Sequence, residues 1–593
     1  MKTKTTLAGG EFLIRPVNQD EIFSPEMFTE EQKMIADTCR DFIEKEVAPQ
    51  RERFEEKDYA WTAELMKKIG SLGLLSTAVP EEYGGMGMDF NTTMLVCDRI
   101  SGISGSLSTA FGAHTGIGTL PILLYGTSEQ KNKYLPKLAS GEWMGAYCLT
   151  EPGAGSDANS GKTKAVLSND GKSYAITGQK MWISNAGFAD VFIVFARIED
   201  DKNITGFIVE RGTEGMSFGE EENKMGIRAS STRQVFFNEC VIPAENMLGE
   251  RGGGFKIAMN ALNVGRIKLA AATLDACRRV IDLSVKYANE RKQFNTSISS
   301  FGAIRQKLAE MSARTFASEA ACYRAGQDIE NNIQRLSSEM DHQEAHLRGV
   351  EEFAVECAIL KVYGSETSSY VTDEGVQIFG GMGFSADAPM EAAYRDVRIA
   401  RIYEGTNEIN RMLIVGMLLK KAMKGELDLM GPASKVGKEL MDIPSFETPD
   451  YSSPLSMELD ILKGLKKSIL MVAGKAVENF GMELEAQQEV LMAIADMIIE
   501  TYVAESAILR ALKMESMGVG SASAVAKAQL TMYRSVERCS AAGREAIYSF
   551  TEGDEQRIML MGLKRFTKYP TPINPKALRD IVADELVKEN AFV

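Results

Sequence analysis

The sequence predicts a mostly α-helical protein with a central β-barrel, and three observations carry that expectation. Residues 25–145 place apolar side chains at helical spacing. Residues 146–254 change to short alternating runs rich in β-branched and aromatic residues. Helical periods then return over 255–423 and again over 457–593. The order is an N-terminal helical domain, a β-barrel domain, a helical-bundle domain and an extra C-terminal helical domain.

Each element has a local reason. Residues 1–24 are polar and read as a loosely held arm. Thr29 precedes Glu30, Glu31 and Gln32 as a helix cap, and Met34, Ile35, Cys39, Phe42, Ile43 and Val47 follow at helical spacing. The apolar runs 191–195, 204–209 and 234–241 are separated by Gly, Asn and Asp turns, as in a small barrel or sandwich. Ile257, Ala261, Leu262, Val264, Leu269 and Leu274 open the first bundle helix, and residues 301–325, 350–371 and 408–419 supply three more. Pro432, Pro444, Pro449 and Pro454 among Gly, Ser and Asp mark residues 424–456 as a linker. In the tail, Val490, Ile494, Met497 and Ile498 share one face, as do Leu509 and Leu512.

Composition excludes several function classes. A chain of 593 residues with 44% hydrophobic and 25% charged residues is an ordinary globular protein of several domains. A net charge of −15 argues against nucleic acid as a partner, because phosphate backbones need a basic surface. The eight Cys are scattered without a C-x-x-C pair, which suits a reducing compartment rather than disulfides or zinc. No apolar run reads as long enough to span a bilayer. The opening MKTKTTLAGGEFLIRP lacks an apolar signal core and carries Glu11, so the expected location is cytoplasmic.

The most informative segment is AYCLTEPGAGSD at 146–157. Pro152-Gly153-Ala154-Gly155 cannot continue a helix. Gly153 and Gly155 allow close approach of a bulky group, and Thr150 and Ser156 supply hydroxyls, a combination suited to a phosphate-bearing cofactor. A glycine turn with no ligand is the plain alternative, and the segment is not a G-x-G-x-x-G dinucleotide fingerprint.

Further segments decide between these readings. PEEYGGMG (80–87), GQKMWISNAG (178–187), NERKQF (289–294), QIFGGMGF (377–384) and RIYEGTNEINR (401–411) follow in order. Together with 146–157 they closely resemble the acyl-CoA dehydrogenase family, over about residues 25–420. Within it the chain is most similar to the very-long-chain branch, whose members carry an extra helical tail that residues 457–593 resemble more weakly.

The resemblance implies an FAD-dependent α,β-desaturation of acyl-CoA, the first oxidative step of fatty-acid β-oxidation. No side chain accepts hydride, so a cofactor must. By motif match Glu404 is the catalytic base, with Tyr403 and Gly405 beside the substrate. A dry acyl pocket would raise its pKa toward neutrality. Some branches place the base on the first bundle helix, but Asn263-Val264-Gly265-Arg266 holds no carboxylate, so Glu404 has no rival there. Asn263, Arg266 and Ser156 match substrate-site positions, although Arg266 could equally cap its helix or pair with a surface acid. Tyr147, Leu149, Thr150, Gly155 and Ser156 match flavin contacts on one side, and Trp182, Ile183 and Ser184 border the ring on the other. Arg291, Phe294, Gln377, Gly380 and Gly381 match residues that reach the FAD of a neighbouring subunit. Thr406, Asn407 and Glu408 match adenosine-side contacts. The implied partners are acyl-CoA, an electron-transfer flavoprotein and a second copy in a homodimer. An oxidase that returns electrons to O₂, or a flavin-bearing scaffold, are the alternative readings.

Three weaker signals remain. His342 and His346 stand one helical turn apart, but HQEAH is not H-E-x-x-H and reads as a solvated face rather than a metal site. Gly102, Gly105, Ser106 and Ser108 would leave room for a long acyl chain, or simply allow close helix contacts. Residues 457–477 mix Leu, Ile and Met with Lys463, Lys466, Lys467 and Lys475, which suits core packing with snorkelling lysines or peripheral membrane contact.

Overall fold

The computed structural model describes residues 7–440 and 450–593. Thr29 caps the helix Glu30–Phe42, its hydroxyl accepting from the Gln32 N–H while the Gln32 side chain returns to the Thr29 N–H. Cys39, Phe42, Ile43 and Val47 are buried as the spacing requires, whereas Met34 is 69% exposed and lies off that face.

Residues 7–24 are not loosely held. Leu7, Phe12, Leu13, Val17 and Ile22 are buried. The Gly9 and Gly10 N–H groups donate to Glu352 Oε1 (2.8 Å) and Glu356 Oε1 (2.7 Å). Phe12 packs edge-on against Tyr502. Five apolar side chains in a polar stretch are enough to dock it: Leu7, Val17 and Ile22 cluster with Leu509 of the tail, and Phe12 and Leu13 join the main core.

The β domain is a single eight-stranded sheet rather than a barrel. Its strands are β1 (Gly145–Cys148), β2 (Lys164–Leu167), β3 (Ser173–Ser184), β4 (Val191–Ile198), β5 (Thr205–Glu210), β6 (Met216–Glu221), β7 (Thr232–Pro243) and β8 (Met247–Leu248). The path runs β6-β7-β3-β2-β4-β5-β8, with β1 added parallel to β4. Closure would need β6 to meet β8. Instead β8 contributes two residues, paired only with Gly206 and Phe207, and β6 loses register against β7 between Phe218 and Glu221. No closed barrel forms among the described residues. In β3 the register against β7 shifts between Lys180 and Ile183, and Trp182 there has φ of 61°. That irregularity re-aims the end of the strand toward the site.

The bundle comprises the helices Gly254–Ala272, Leu274–Glu290, Gly302–Leu336 and Ala354–Phe379, followed by Asn407–Met423. The helix Gly302–Leu336 runs farther than its apolar pattern suggested. Residues 350–371 fall in two helices, because His342–Glu352 ends before Ala354–Phe379 begins. The expected linker is partly helical: Met430–Glu439 forms a helix and buries Val436. Pro444 and Pro449 lie outside the described residues.

The tail helices Ser456–Phe480, Gln488–Ser516, Ala522–Phe550, Gly553–Phe566 and Pro575–Glu589 pack onto the bundle. Residues 457–477 follow the core-packing alternative. Ile461, Leu465, Ile469 and Val472 are buried, and Lys466, Lys467 and Lys475 pair with Glu505, Glu439 and Glu555 of the same chain. One helical run, Gly105–Tyr125, is long and apolar enough to cross a membrane, contrary to the sequence reading. Most of its apolar stretch is buried inside the protein, as in a core helix.

Buried ion pairs join the domains. Arg278 bridges Asp98 and Glu319, Glu319 continues to Arg510, and Arg510 reaches Glu26. Arg324 and Glu505 pair at 2.9 Å in the interior between bundle and tail. Removing one member of such a pair strands the other charge. Glu505→Ala should therefore lower stability by about 3–5 kcal/mol, checked as a fall in the urea midpoint of the bundle-tail unfolding transition.

Candidate active site

A cavity of about 570 Å³ opens between the sheet, the first bundle helix and the loop before Asn407–Met423. Its wall contains Tyr147, Leu149 and Thr150 from the end of β1, and Gly155 and Ser156 from the loop that follows. Trp182, Ile183 and Ser184 from β3 face it, as do Arg266, Tyr403, Glu404 and Gly405. Trp182 is 53% exposed, so it is a wall of the cavity and not core.

The loop at 150–157 is held from behind. Glu151 and Ala154 exchange two backbone hydrogen bonds. The Glu151 carboxylate accepts from the Lys162 and Thr163 N–H groups and from Lys180 Nζ at 2.6 Å. Lys180 also donates to the Leu149 carbonyl. Its ammonium is fully buried, and this pair ties the loop to β3. A Cβ added at Gly153 or Gly155 would touch nothing within 4 Å. The protein itself does not crowd these glycines; their bare backbone faces open space that a bulky group can approach.

Glu404 occupies the left-handed region (φ 59°) and Gly405 follows at φ 81°. This conformation is costly for a residue with a side chain and is held by its surroundings. Arg266 Nε donates to the Glu404 carbonyl at 3.2 Å. Asn410 Nδ2 donates to the Gly405 and Thr406 carbonyls at 2.8 and 3.0 Å. Lys361 Nζ donates to the Gly405 carbonyl at 2.6 Å and to Asn407 Oδ1 at 2.7 Å.

The carboxyl group itself is free. Glu404 Oε2 is buried and has no hydrogen-bond partner. Burial pushes its pKa up to about 7, against the opposing pull of the Arg266 and Lys361 cations. Burial also pulls Lys361 down to about 7. The Tyr147 hydroxyl is likewise buried without a partner, and burial raises it well above its ordinary value. A carboxyl group kept dry and near neutrality is suited to taking a proton from a weak carbon acid.

Sequence reasoning missed what makes room for it. A Cβ on Gly265 would stand 2.6 Å from Glu404 Oε2. The glycine sits inside the quoted run Asn263-Val264-Gly265-Arg266, but its partner is remote in the chain. Lys361 was also missed, although a lone cation in the run Ala358-Ile359-Leu360-Lys361-Val362 is a visible signal. Asp396 is a third. Its carboxylate accepts from the Gly105 and Ile227 N–H groups on the cavity wall, and burial raises its pKa to about 6.

Several expected site residues stand elsewhere. Asn263 does not line the cavity; its Oδ1 accepts from Arg266 Nη1 at 2.8 Å and so orients that guanidinium. Asn407 is buried, and its side-chain amide is engaged by Lys361, Ser365 and Glu366. Thr406 caps the helix Asn407–Met423 through its hydroxyl, and Glu408 is exposed. Arg291, Phe294, Gln377, Gly380 and Gly381, expected to serve the flavin of a neighbouring subunit and not this chain's own cavity, lie on the exposed surface, with Phe294 91% exposed. Gly102, Gly105 and Ser108 line the cavity. Ser106 is turned into the protein, where its hydroxyl accepts from the Ala229 N–H. At Gly102 a Cβ would collide with the Asp275 carboxylate, so packing alone demands that glycine. His342 is exposed as expected, but His346 has a buried Nδ1 and packs near Phe90. No cluster of three metal-ligating side chains occurs among the described residues.

Two outcomes follow from this geometry. Gly265→Ala should keep the fold, because the obstructed atom is the end of a flexible side chain. It should displace the carboxyl and cut kcat by about tenfold to a hundredfold, measured beside a thermal melt. Glu404 works deprotonated, so kcat/KM should rise with pH through about 7. Arg266→Met removes a cation that favours the carboxylate and should move that limb to higher pH in the same titration of rate.

Comparison with known proteins agrees with the site. Sequence profiles match along the chain: acyl-CoA dehydrogenase N-terminal domain at 29–142, middle domain at 146–240, C-terminal domain at 252–419, and a further acyl-CoA dehydrogenase C-terminal domain at 464–565. A probable acyl-CoA dehydrogenase of Bacillus subtilis (strain 168) is 44% identical over 573 residues, 95% of each chain. The mitochondrial very long-chain specific acyl-CoA dehydrogenase of Homo sapiens is 37% identical over 84% of this chain and 78% of its own. The crystal structure of an acyl-CoA dehydrogenase complexed with FAD from Bacillus anthracis superposes with a TM-score of 0.95 at 42% identity, covering 99% of this chain and all of that one. With four profiles in family order and a dry glutamate set over the cavity, this chain belongs to the acyl-CoA dehydrogenase family, oxidoreductases acting on CH–CH bonds.

Proposed function

We propose that the protein desaturates long-chain acyl-CoA to trans-2-enoyl-CoA, the first oxidative step of fatty-acid β-oxidation. One observation carries the reading: the buried, unpartnered carboxyl oxygen of Glu404 at the cavity. Glu404 removes the proton from the substrate's α carbon. Arg266 and Asn410 hold the loop so that the carboxyl stays aimed while the proton moves. FAD, when bound, supplies the acceptor for the β hydride. Thr150, Ser156 and Ser184 offer hydroxyls to it, Trp182 offers a face, and the uncrowded Gly155 backbone lets it approach.

The finer assignments rest on separate supports. The small side chain of Ser108 on the cavity wall leaves room for a long acyl chain, whereas Gly102 and Gly105 are already required by packing against Asp275 and Asp396. Arg291, Phe294, Gln377, Gly380 and Gly381 are exposed, and Phe294, Met382 and Phe384 are large apolar side chains left uncovered, which suits burial against a second copy in a dimer. Electron-transfer flavoprotein is the reoxidant in this reading, and eight buried free cysteines suit a reducing, cytoplasmic setting.

Anaerobic addition of palmitoyl-CoA to the flavin-loaded enzyme should bleach the flavin, and Glu404→Gln should slow the bleaching at least about a thousandfold, the order lost with other essential acid-base groups. Bleaching that survives in the variant excludes Glu404 as base. A panel of acyl-CoAs of rising length ranks chain preference in the same assay. Fast reoxidation by O₂ without electron-transfer flavoprotein would mark an oxidase instead.

A further inference from the structure

A polar relay runs from the tail domain to the loop that carries Glu404. Asp496, on the tail helix Gln488–Ser516, accepts from Arg411 Nε at 2.8 Å. Arg411, on the helix Asn407–Met423, also donates to Glu366 Oε1 at 2.8 Å. The same Glu366 oxygen accepts from Asn407 Nδ2 at 3.0 Å. Asn407 Oδ1 accepts from Lys361 Nζ at 2.7 Å, and Lys361 closes on the Gly405 carbonyl at 2.6 Å. Five side chains thus connect a separate domain to the peptide next to the base. Lys361 is wholly buried, with no acidic partner of its own within ion-pairing distance among the described residues. A buried ammonium spent on one carbonyl and one amide is expensive unless it does something there.

We propose that Lys361 is the positioning residue for Glu404, and that the tail domain sets it through Asp496 and Arg411. The inference rests on Glu404 being the base. Without Asp496, Arg411 keeps only its paired bonds to the two Glu366 oxygens and that carboxylate turns with it, so the Asn407 amide rests on Ser365 alone and aims Lys361 at Gly405 less firmly. The loop then samples geometries in which the carboxyl misses the α carbon, although nothing in the cavity wall has changed. The tail is in this way a part of the catalytic apparatus, acting through the backbone of residue 405.

The charged and titratable groups that face Glu404 are few. Arg266 faces it from the first bundle helix, Lys361 from Ala354–Phe379, Tyr147 from β1 and Tyr403 from its own loop. Glu366 and Glu408 face Lys361 from the far side. Of the groups that face Glu404 itself, only Lys361 is reached by the relay.

The test uses flavin-loaded enzyme with Asp496→Asn, Lys361→Met, both together, and Glu404→Gln as reference. The expected result is a fall in kcat of about tenfold to a hundredfold for Lys361→Met, with KM within about twofold. The acidic limb of its pH profile should move to higher pH, since a cation favouring the carboxylate is gone. Asp496→Asn should lower kcat by about threefold and move the limb the same way, and the double variant should match Lys361→Met alone. Amide exchange over residues 401–411 should quicken in both single variants. Asp496 is 43% exposed, so its substitution leaves the fold intact and decides the matter if Lys361→Met does not fold. Unchanged kcat, limb and exchange in Asp496→Asn overturns the relay, as do effects that simply multiply in the double variant. If Glu404→Gln remains active, the base assignment fails instead, and the two failures are told apart.

Discussion

A carboxyl oxygen without a partner in the interior is tolerated only when the group can be neutral, and the fold around residue 404 is built on that constraint. Desolvation alone would hold Glu404 protonated. Arg266 and Lys361 offset it, yet neither forms an ion pair with the carboxylate; each donates to the loop backbone or an amide instead. The cations therefore act at a distance on charge and directly on geometry. The left-handed residue, the glycine after it and the glycine opposite it follow from the same need, which is to leave one carboxyl group clear of everything except what enters the cavity.

The same economy of polar contact joins the domains. Asp98, Arg278, Glu319, Arg510 and Glu26 form one chain of ion pairs through the N-terminal domain, the bundle and the tail. Buried pairs of this kind add little net stability over an apolar core, but they penalise any arrangement that separates them. Four helices from three domains can meet in few other ways. The cavity inherits that definition, since its walls come from the N-terminal domain, the β sheet and the bundle, and its base loop is reached from the tail.

Much of this was legible in the residues. Thr29 and Gln32 announce their helix, the change of period at 146 announces the sheet, and Glu404 between Tyr403 and Gly405 announces a turn with a carboxylate on it. What was not legible depends on distant partners. Closure of a sheet is decided at its edges, and a two-residue β8 leaves no periodic trace. The arm looked free because its anchors, Glu352 and Glu356, lie far along the chain. Asn407 matches the family motif, yet the structure shows its amide committed to Lys361, Ser365 and Glu366. Gly265 is one small residue among many until the carboxyl it accommodates is placed beside it.

The packing of residues 7–26 has a bearing on biosynthesis. Phe12 rests on Tyr502, and Glu26 is clasped by Arg510. Those partners lie about 480–490 residues downstream, so this segment waits for them through most of translation. At roughly 5–20 residues per second that interval is on the order of half a minute or more. For that time Leu7 and Val17 lack Leu509 and Phe12 lacks the Tyr502 ring, so seating of the arm is a late step that waits for the tail.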